Sequence, residues 1–186
     1  MTLDSPLGRI IHELDARGIP HMVAGSFASA YHGEPRTTRD IDLVIDPSRD
    51  AFDRLVAELD AERFYISAEA AEEAWRRRGQ LNVVDLASGW KIDLILRKER
   101  PFSREEFSRR APATILGTRV FVATAEDTIL AKLEWARLGE SERQLRDVIG
   151  VIEMSGSHLD PAYIAHWARE LGVEGLWNRV RAEAAD

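Results

Sequence analysis

Apolar positions along the chain repeat with two periods, and the switch between them divides it. Leu3, Leu7, Ile10, Ile11 and Leu14 recur at helical spacing and stop at Gly18, which predicts an N-terminal helix. Pro20 permits an extended entry into His21-Met22-Val23-Ala24, a short strand broken by Gly25-Ser26. Residues 27–31 then predict a short helix, ended by Gly33 and Pro35. A polar stretch, Arg36-Thr37-Thr38-Arg39, leads into the β-prone run Asp40-Ile41-Asp42-Leu43-Val44-Ile45. After the turn Asp46-Pro47-Ser48, Phe52, Leu55, Val56 and Leu59 predict a helix over about 50–59, and residues 68–78 predict another. The runs 81–86 and 90–96 flank Ala87-Ser88-Gly89 and read as a β-hairpin; residues 119–122 read as one more strand.

From Thr124 onward the period is helical. Thr124 with Asp127 makes a capping box ahead of Ile129, Leu130 and Leu133. Ser141 with Gln144 makes a second, ahead of Leu145, Val148, Ile149 and Ile152. Asp160-Pro161 starts a third helix that Gly172 ends, and a last helix covers about 174–184. The expected organisation is an α/β (α+β) region over 1–123, with a mixed sheet and flanking helices, followed by a helical bundle over 124–186.

Composition narrows the function classes. A chain of 186 residues that is 45% apolar and 31% charged is an ordinary globular protein with room for about one domain and a helical extension. It has no cysteine, which excludes a thiol nucleophile, an iron–sulfur cluster and a cysteine-ligated zinc, and fits a cytoplasmic address. No apolar run approaches the roughly 20 residues of a membrane helix, and Met1-Thr2-Leu3-Asp4 does not begin a signal peptide, so no membrane partner is expected. The net charge of −7 argues against a wholly basic, nucleic-acid-coating surface. Cations nevertheless cluster at Arg76-Arg77-Arg78, at Arg97-Lys98 with Arg100, and at Arg109-Arg110. Those runs read either as solvated element ends or as local patches on an acidic body.

Asp40 and Asp42 stand two apart in a predicted strand, so their carboxylates leave the same face, roughly 6.5–7 Å apart at the backbone, while Ile41 and Leu43 point into a core. Two carboxylates on one face disfavour joint ionisation unless a cation sits between them, and hard oxygen ligands suit Mg2+ or Mn2+. Fourteen residues upstream, Gly25-Ser26 lies between a strand and a short helix, where glycine lets backbone approach a ligand and a helix N-terminus attracts phosphate. Asp93 interrupts an otherwise apolar strand and is the candidate third carboxylate. It also reads as a salt-bridge partner of Lys91 or Arg97, and Asp85 is its rival nearer the hairpin turn. A carboxylate triad of this kind can hold two metals that activate an attacking hydroxyl and stabilise leaving pyrophosphate.

Asp-x-Asp also occurs in calcium loops and in phosphatases of the haloacid-dehalogenase type. The phosphatase version follows apolar residues, whereas Arg-Thr-Thr-Arg precedes Asp40; the calcium version needs a glycine-containing loop, whereas Leu43-Val44-Ile45 follows Asp42. Gly25-Ser26, a thirteen-residue spacer, Asp40-Ile41-Asp42 and a later Asp93 resemble the nucleotidyltransferase superfamily of the DNA-polymerase-β type. Lys132-Leu133-Glu134-Trp135 with Arg146-Asp147-Val148 is similar to the Lys…Arg-Asp segment of AbiEii-like abortive-infection toxins, although Gly25-Ser26 stands where many of those have Gly-Gly.

The resemblance implies transfer of a nucleoside monophosphate from an NTP to an acceptor hydroxyl. Asp40, Asp42 and Asp93 would be catalytic metal ligands for Mg2+ or Mn2+, with Gly25 and Ser26 on the phosphates and Arg39 and Lys132 as further nucleotide contacts. The acceptor is open: a small molecule, a protein or tRNA. The toxin-like alternative adds nucleotides to tRNA and brings an antitoxin partner; a catalytically silent nucleotide-binding protein is the third reading. Lys132 reads equally as a surface lysine, and Asp147 reads either as an acid supporting the site from behind or as a surface partner of Arg143. His21 and His32 lack zinc spacing and read as structural; Trp90, Trp135, Trp167 and Trp177 read as core aromatics.

Overall fold

A computed structural model describes residues 5–35, 37–139 and 141–184. Leu3 and Arg36, to which the sequence assigns a helix start and a strand lead-in, lie outside them. The helices in chain order are α1 (Pro6–Ala16), α2 (Gly25–His32), α3 (Arg49–Glu58), α4 (Ala68–Arg77), α5 (Pro101–Arg109), α6 (Ala125–Gly139), α7 (Glu142–Ser155), α8 (Pro161–Glu170) and α9 (Glu174–Glu183). The strands are β1 (His21–Val23), β2 (Asp40–Ile45), β3 (Phe64–Ile66), β4 (Gln80–Asp85), β5 (Trp90–Leu96), β6 (Ala111–Ile115) and β7 (Thr118–Val122). Two compact units result. The described residues of Met1–Ala24 and Thr38–Val122 form the first; those of Gly25–Thr37 and Ala123–Asp186 form the second.

The first unit is a seven-stranded mixed sheet in the order β3-β4-β5-β2-β1-β7-β6. The pairs β2–β5 and β1–β7 are parallel, and the others are antiparallel. Its central strands have unlike faces because their sequences alternate. Ile41, Leu43 and Ile45 align with Ile92, Leu94 and Leu96, and Val83 and Leu81 continue the rows onto β4. All eight are fully buried.

Helix α1 covers this apolar face. Ser5 caps it by accepting the Gly8 N–H at 3.0 Å, and Leu7, Ile10, Ile11 and Leu14 are fully buried. Each such side chain contributes about 1.5–3 kcal/mol. Arg9 on α1 donates from Nε and Nη2 to Asp85 at 2.8 and 2.9 Å, tying the helix to β4. Asp85 also accepts from the Ser88 backbone and hydroxyl. Burial alone would raise its pKa, but these hydrogen bonds outweigh burial and hold it below the ordinary carboxylate range. Asp85 is therefore a satisfied structural acid on the core side.

The second unit is helical. Thr124 accepts the Asp127 N–H at 3.2 Å and donates its hydroxyl to the Asp127 carboxylate at 2.7 Å, so Thr124 caps α6 as the sequence predicts. The second capping box does not form: Ser141 makes no side-chain cap, and the Gln144 side chain is engaged by Lys132 instead. Asp160 caps α8 by accepting the Ala162 and Tyr163 N–H groups at 3.0 Å each. Gly33, at the end of α2, passes close to α7. A Cβ there would lie 2.9 Å from Gly150 C and Val151 N, so only glycine permits the approach.

Three elements had no sequence forecast. β3 is too short to show alternation, β6 carries Pro112 and is mostly exposed, and α5 hides its periodicity among charges. Trp177 is buried, but Trp135 is 58% exposed and corrects its assignment to the core. Trp90 and Trp167 are half-buried. Among the described residues, no helix is long and apolar enough to cross a membrane.

Candidate active site

The face of β2 and β5 turned away from α1 carries the acids. Asp40, Asp42 and Val44 alternate with the buried isoleucines and leucine. The parallel register pairs Asp40 with Lys91 and Asp42 with Asp93. Laterally paired residues of neighbouring strands share a face, about 4.8 Å apart. The three acids therefore lie on one side of the sheet, with Lys91 among them. Asn82, the cross-strand partner of Asp93 on β4, joins the same face and was not singled out from the sequence.

Local structure holds this edge in place. The Thr38 hydroxyl accepts the Asp40 N–H at 3.2 Å, and the Arg39 carbonyl accepts the Lys91 N–H at 3.2 Å. On the other side of β2, the Asp42 carbonyl accepts the Ala24 N–H at 2.9 Å. Asp40 is exposed, Asp42 half-buried and Asp93 buried at 6% exposure. The gradient runs from solvent to core along a line of carboxylates.

Asp93 is the unusual member. Its Oδ2 accepts from Lys91 Nζ at 2.9 Å. Its Oδ1 is buried without a hydrogen-bond partner. A desolvated carboxylate oxygen without a partner costs about 1–3 kcal/mol or more, a cost that native structures rarely carry without a use. Lys91 is drawn above its ordinary pKa first by its hydrogen bond to Asp93, against burial, and then by the charges of Asp93, Asp40 and Asp42. Arg97, the other sequence-level partner for Asp93, binds Asp46 at 2.9 Å instead.

The donor set suits a hard divalent cation: carboxylate oxygens on one face, one of them unsatisfied. Among the described residues, no three His, Asp or Glu side chains are gathered as a finished metal cage, and the cation beside Asp93 is Lys91. The chemistry of these carboxylates is of the kind that suits Mg2+ or Mn2+.

The remaining candidates divide between the two units. Arg39 precedes β2 in the first unit and is exposed. Gly25 and Ser26 open α2 and belong to the second unit. Gly25 has φ +55°, a conformation that glycine adopts without strain, so the chain turns directly from strand into helix. Lys132, also in the second unit, is 4% exposed. It donates to Asp147 at 2.7 Å and to Gln144 at 2.9 Å, a buried tie between α6 and α7. Asp147 thus pairs with Lys132. His21 is buried beside the Ile19 carbonyl, and His32 donates Nε2–H to the Ala123 carbonyl at 2.7 Å; both act structurally.

The basic runs carry acids with them. Arg76 and Arg77 both pair with Glu73, Arg78 pairs with Glu99 at 3.4 Å, and Arg97 reaches both Asp46 and Glu99. Arg110 lies over the Phe107 and Phe121 rings at 4.2 and 5.0 Å. These contacts take up much of the charge that the sequence offered as local patches.

No family model matches the chain, and no curated protein does. Solved structures do. ANT(2'')-Ia, an antibiotic-resistance factor, matches with a TM-score of 0.56 at 15% identity, over 95% of this chain and 91% of that one. An antigenic nucleotidyltransferase-like protein from Paracoccidioides brasiliensis matches with a TM-score of 0.56 at 17% identity, over 94% and 90%. The lincosamide antibiotic adenylyltransferase LnuA, in a lincomycin-bound structure, matches with a TM-score of 0.53 at 11% identity, over 78% and 93%. These matches give the chain, with its mixed seven-stranded sheet, a nucleotidyltransferase-like fold.

Proposed function

We propose that the protein is a metal-dependent nucleotidyltransferase that moves a nucleoside monophosphate from an NTP to an acceptor hydroxyl and releases pyrophosphate. One observation carries the reading: a buried, half-satisfied Asp93 stands in register with Asp42, on the face that also presents Asp40. The fold likeness supports it, since ANT(2'')-Ia has been solved with adenylyl-2''-tobramycin and LnuA is an adenylyltransferase.

Asp40, Asp42 and Asp93 are the residues that would hold Mg2+ or Mn2+. Bound there, a divalent ion would polarise the transferring phosphate and favour ionisation of the acceptor hydroxyl. The protein's own part is positioning. The β2–β5 ladder fixes the spacing of the three carboxylates, and the buried isoleucines and leucines behind them keep that ladder rigid. Asp93, on the core side of the cluster, would complete the site and help activate the acceptor hydroxyl. Arg39, exposed next to Asp40, supplies charge to the triphosphate. The Gly25-Ser26 turn at the start of α2 is proposed separately as a phosphate contact through its backbone N–H groups. Lys132 enters the proposal as the tie between α6 and α7 rather than as a phosphate contact.

Incubation with each labelled NTP, Mg2+ and either total RNA or a small-molecule and protein lysate tests the reading. Label appearing on any acceptor, with equimolar pyrophosphate, is the expected result. Label on RNA selects the toxin-like form of the activity, and label on a small molecule or protein selects the other. NTP bound with no label transferred to any fraction contradicts the proposal and favours a silent nucleotide-binding protein.

A further inference from the structure

The acidic face brings its own cation. Lys91 sits two residues before Asp93 on the same face of β5, and its register partner on β2 is Asp40. Its Nζ is 2.9 Å from one oxygen of Asp93, while the other oxygen is buried and has no partner. A finished structural pair in the same unit looks different. Asp85 has both oxygens hydrogen-bonded, one by Arg9 Nε and the other by Arg9 Nη2 and Ser88. Asp93 is thus bound on one side only, by a side chain that is itself 45% exposed.

We propose that Lys91 is a displaceable internal counter-ion: it neutralises Asp93 while the site is empty of metal, and yields that carboxylate when a divalent ion binds, so that Lys91 sets the ion affinity of the site. Three neighbouring carboxylates without a cation repel one another. A lysine ammonium on a flexible four-carbon stem relieves this at no backbone cost and can swing to solvent. An ammonium and a divalent ion at the same carboxylate repel each other, so the lysine weakens ion binding for as long as it stays. The inference rests on the metal-dependent reading above and concerns one residue that this reading does not use.

Mn2+ binding to the full chain tests it, measured by the electron paramagnetic resonance signal of free Mn2+, with melting temperature as a second readout. The proteins are wild type, Lys91→Met, Lys91→Gln, Lys91→Arg and Asp42→Asn. Lys91→Met and Lys91→Gln are expected to bind Mn2+ about tenfold tighter than wild type, as expected for removing a unit charge a few ångströms from the ion in partly desolvated surroundings. They are expected to melt below wild type in EDTA and to regain the difference in Mn2+. Lys91→Arg, which keeps the charge, stays within about threefold of wild type by the same argument. Asp42→Asn loses Mn2+ binding.

Equal Mn2+ affinity in wild type, Lys91→Met and Lys91→Gln, with Asp42→Asn still defective, overturns the counter-ion role and leaves the metal site standing. Failure of both neutral variants to fold even in Mn2+ also overturns it, because the pair would then be a fixed structural tie. No Mn2+ bound by any of the proteins overturns the metal reading itself.

Discussion

Two lysine–aspartate pairs in this protein have nearly the same length and opposite characters. Lys132 meets Asp147 at 2.7 Å, with side chains 5% and 10% exposed, and its ammonium also donates to Gln144. Lys91 meets Asp93 at 2.9 Å, with side chains 45% and 8% exposed, and Asp93 keeps one buried oxygen unmatched. The first pair is enclosed, multiply bonded and central to the packing of α6 on α7. The second joins a half-exposed cation to a buried acid in a row of acids. The difference teaches where to look for function: a pair whose polar atoms are matched belongs to the fold, and a pair that leaves a buried oxygen unmatched calls for another explanation.

Breaking each pair sharpens the contrast. Lys132→Met removes a buried ion pair together with its bond to Gln144 and is expected to cost about 3–5 kcal/mol of unfolding free energy, read by denaturant titration, with no rescue by Mg2+. Replacing both partners, Lys132→Met with Asp147→Leu, returns most of that loss. Lys91→Met is expected to cost less, about 1–3 kcal/mol in EDTA, because only Asp93 loses a partner. Mg2+ returns it. Equal losses from the two variants, or equal indifference to Mg2+, erase the comparison.

The smallest effect concerns the third enclosed acid. Asp85 has a folded pKa below its unfolded one, so its ionised form stabilises the fold above the ordinary carboxylate range, about pH 4, and that contribution disappears as the pH falls through the folded value. Stability should therefore fall on acidification below about pH 4. In Asp85→Asn this part of the decline is missing, at the expense of a lower plateau near neutrality. An unchanged acid limb in that variant would remove Asp85 from the closed pairs.

Much of this was legible in the chain, and the limits have physical reasons. Alternation in Asp40-Ile41-Asp42-Leu43 told which side chains share a face, because a strand allows no other arrangement. The hairpin β4–β5 announced itself through two apolar runs and a Ser88-Gly89 turn, with Gly89 at φ +69°. The register of β2 against β5 was not legible, because parallel strands distant in sequence are aligned by packing and not by a turn. Asp93 could be chosen as a lone acid in an apolar strand, but its place beside Asp42 is a tertiary fact. The same holds for Lys132, whose partners lie on the next helix, and for the grouping of Gly25–Thr37 with helices one hundred residues later. Ser141 and Gln144 had the spacing of a capping box, yet Lys132 competed for the glutamine and won.

The most direct measurement is Mg2+-dependent pyrophosphate release by wild type and Asp42→Asn, with melting curves of both. The account predicts that the variant melts like wild type and that turnover falls at least about a hundredfold, since a metal-assisted transition state draws several kcal/mol from its ligands. Wild-type turnover in a folded Asp42→Asn would contradict it.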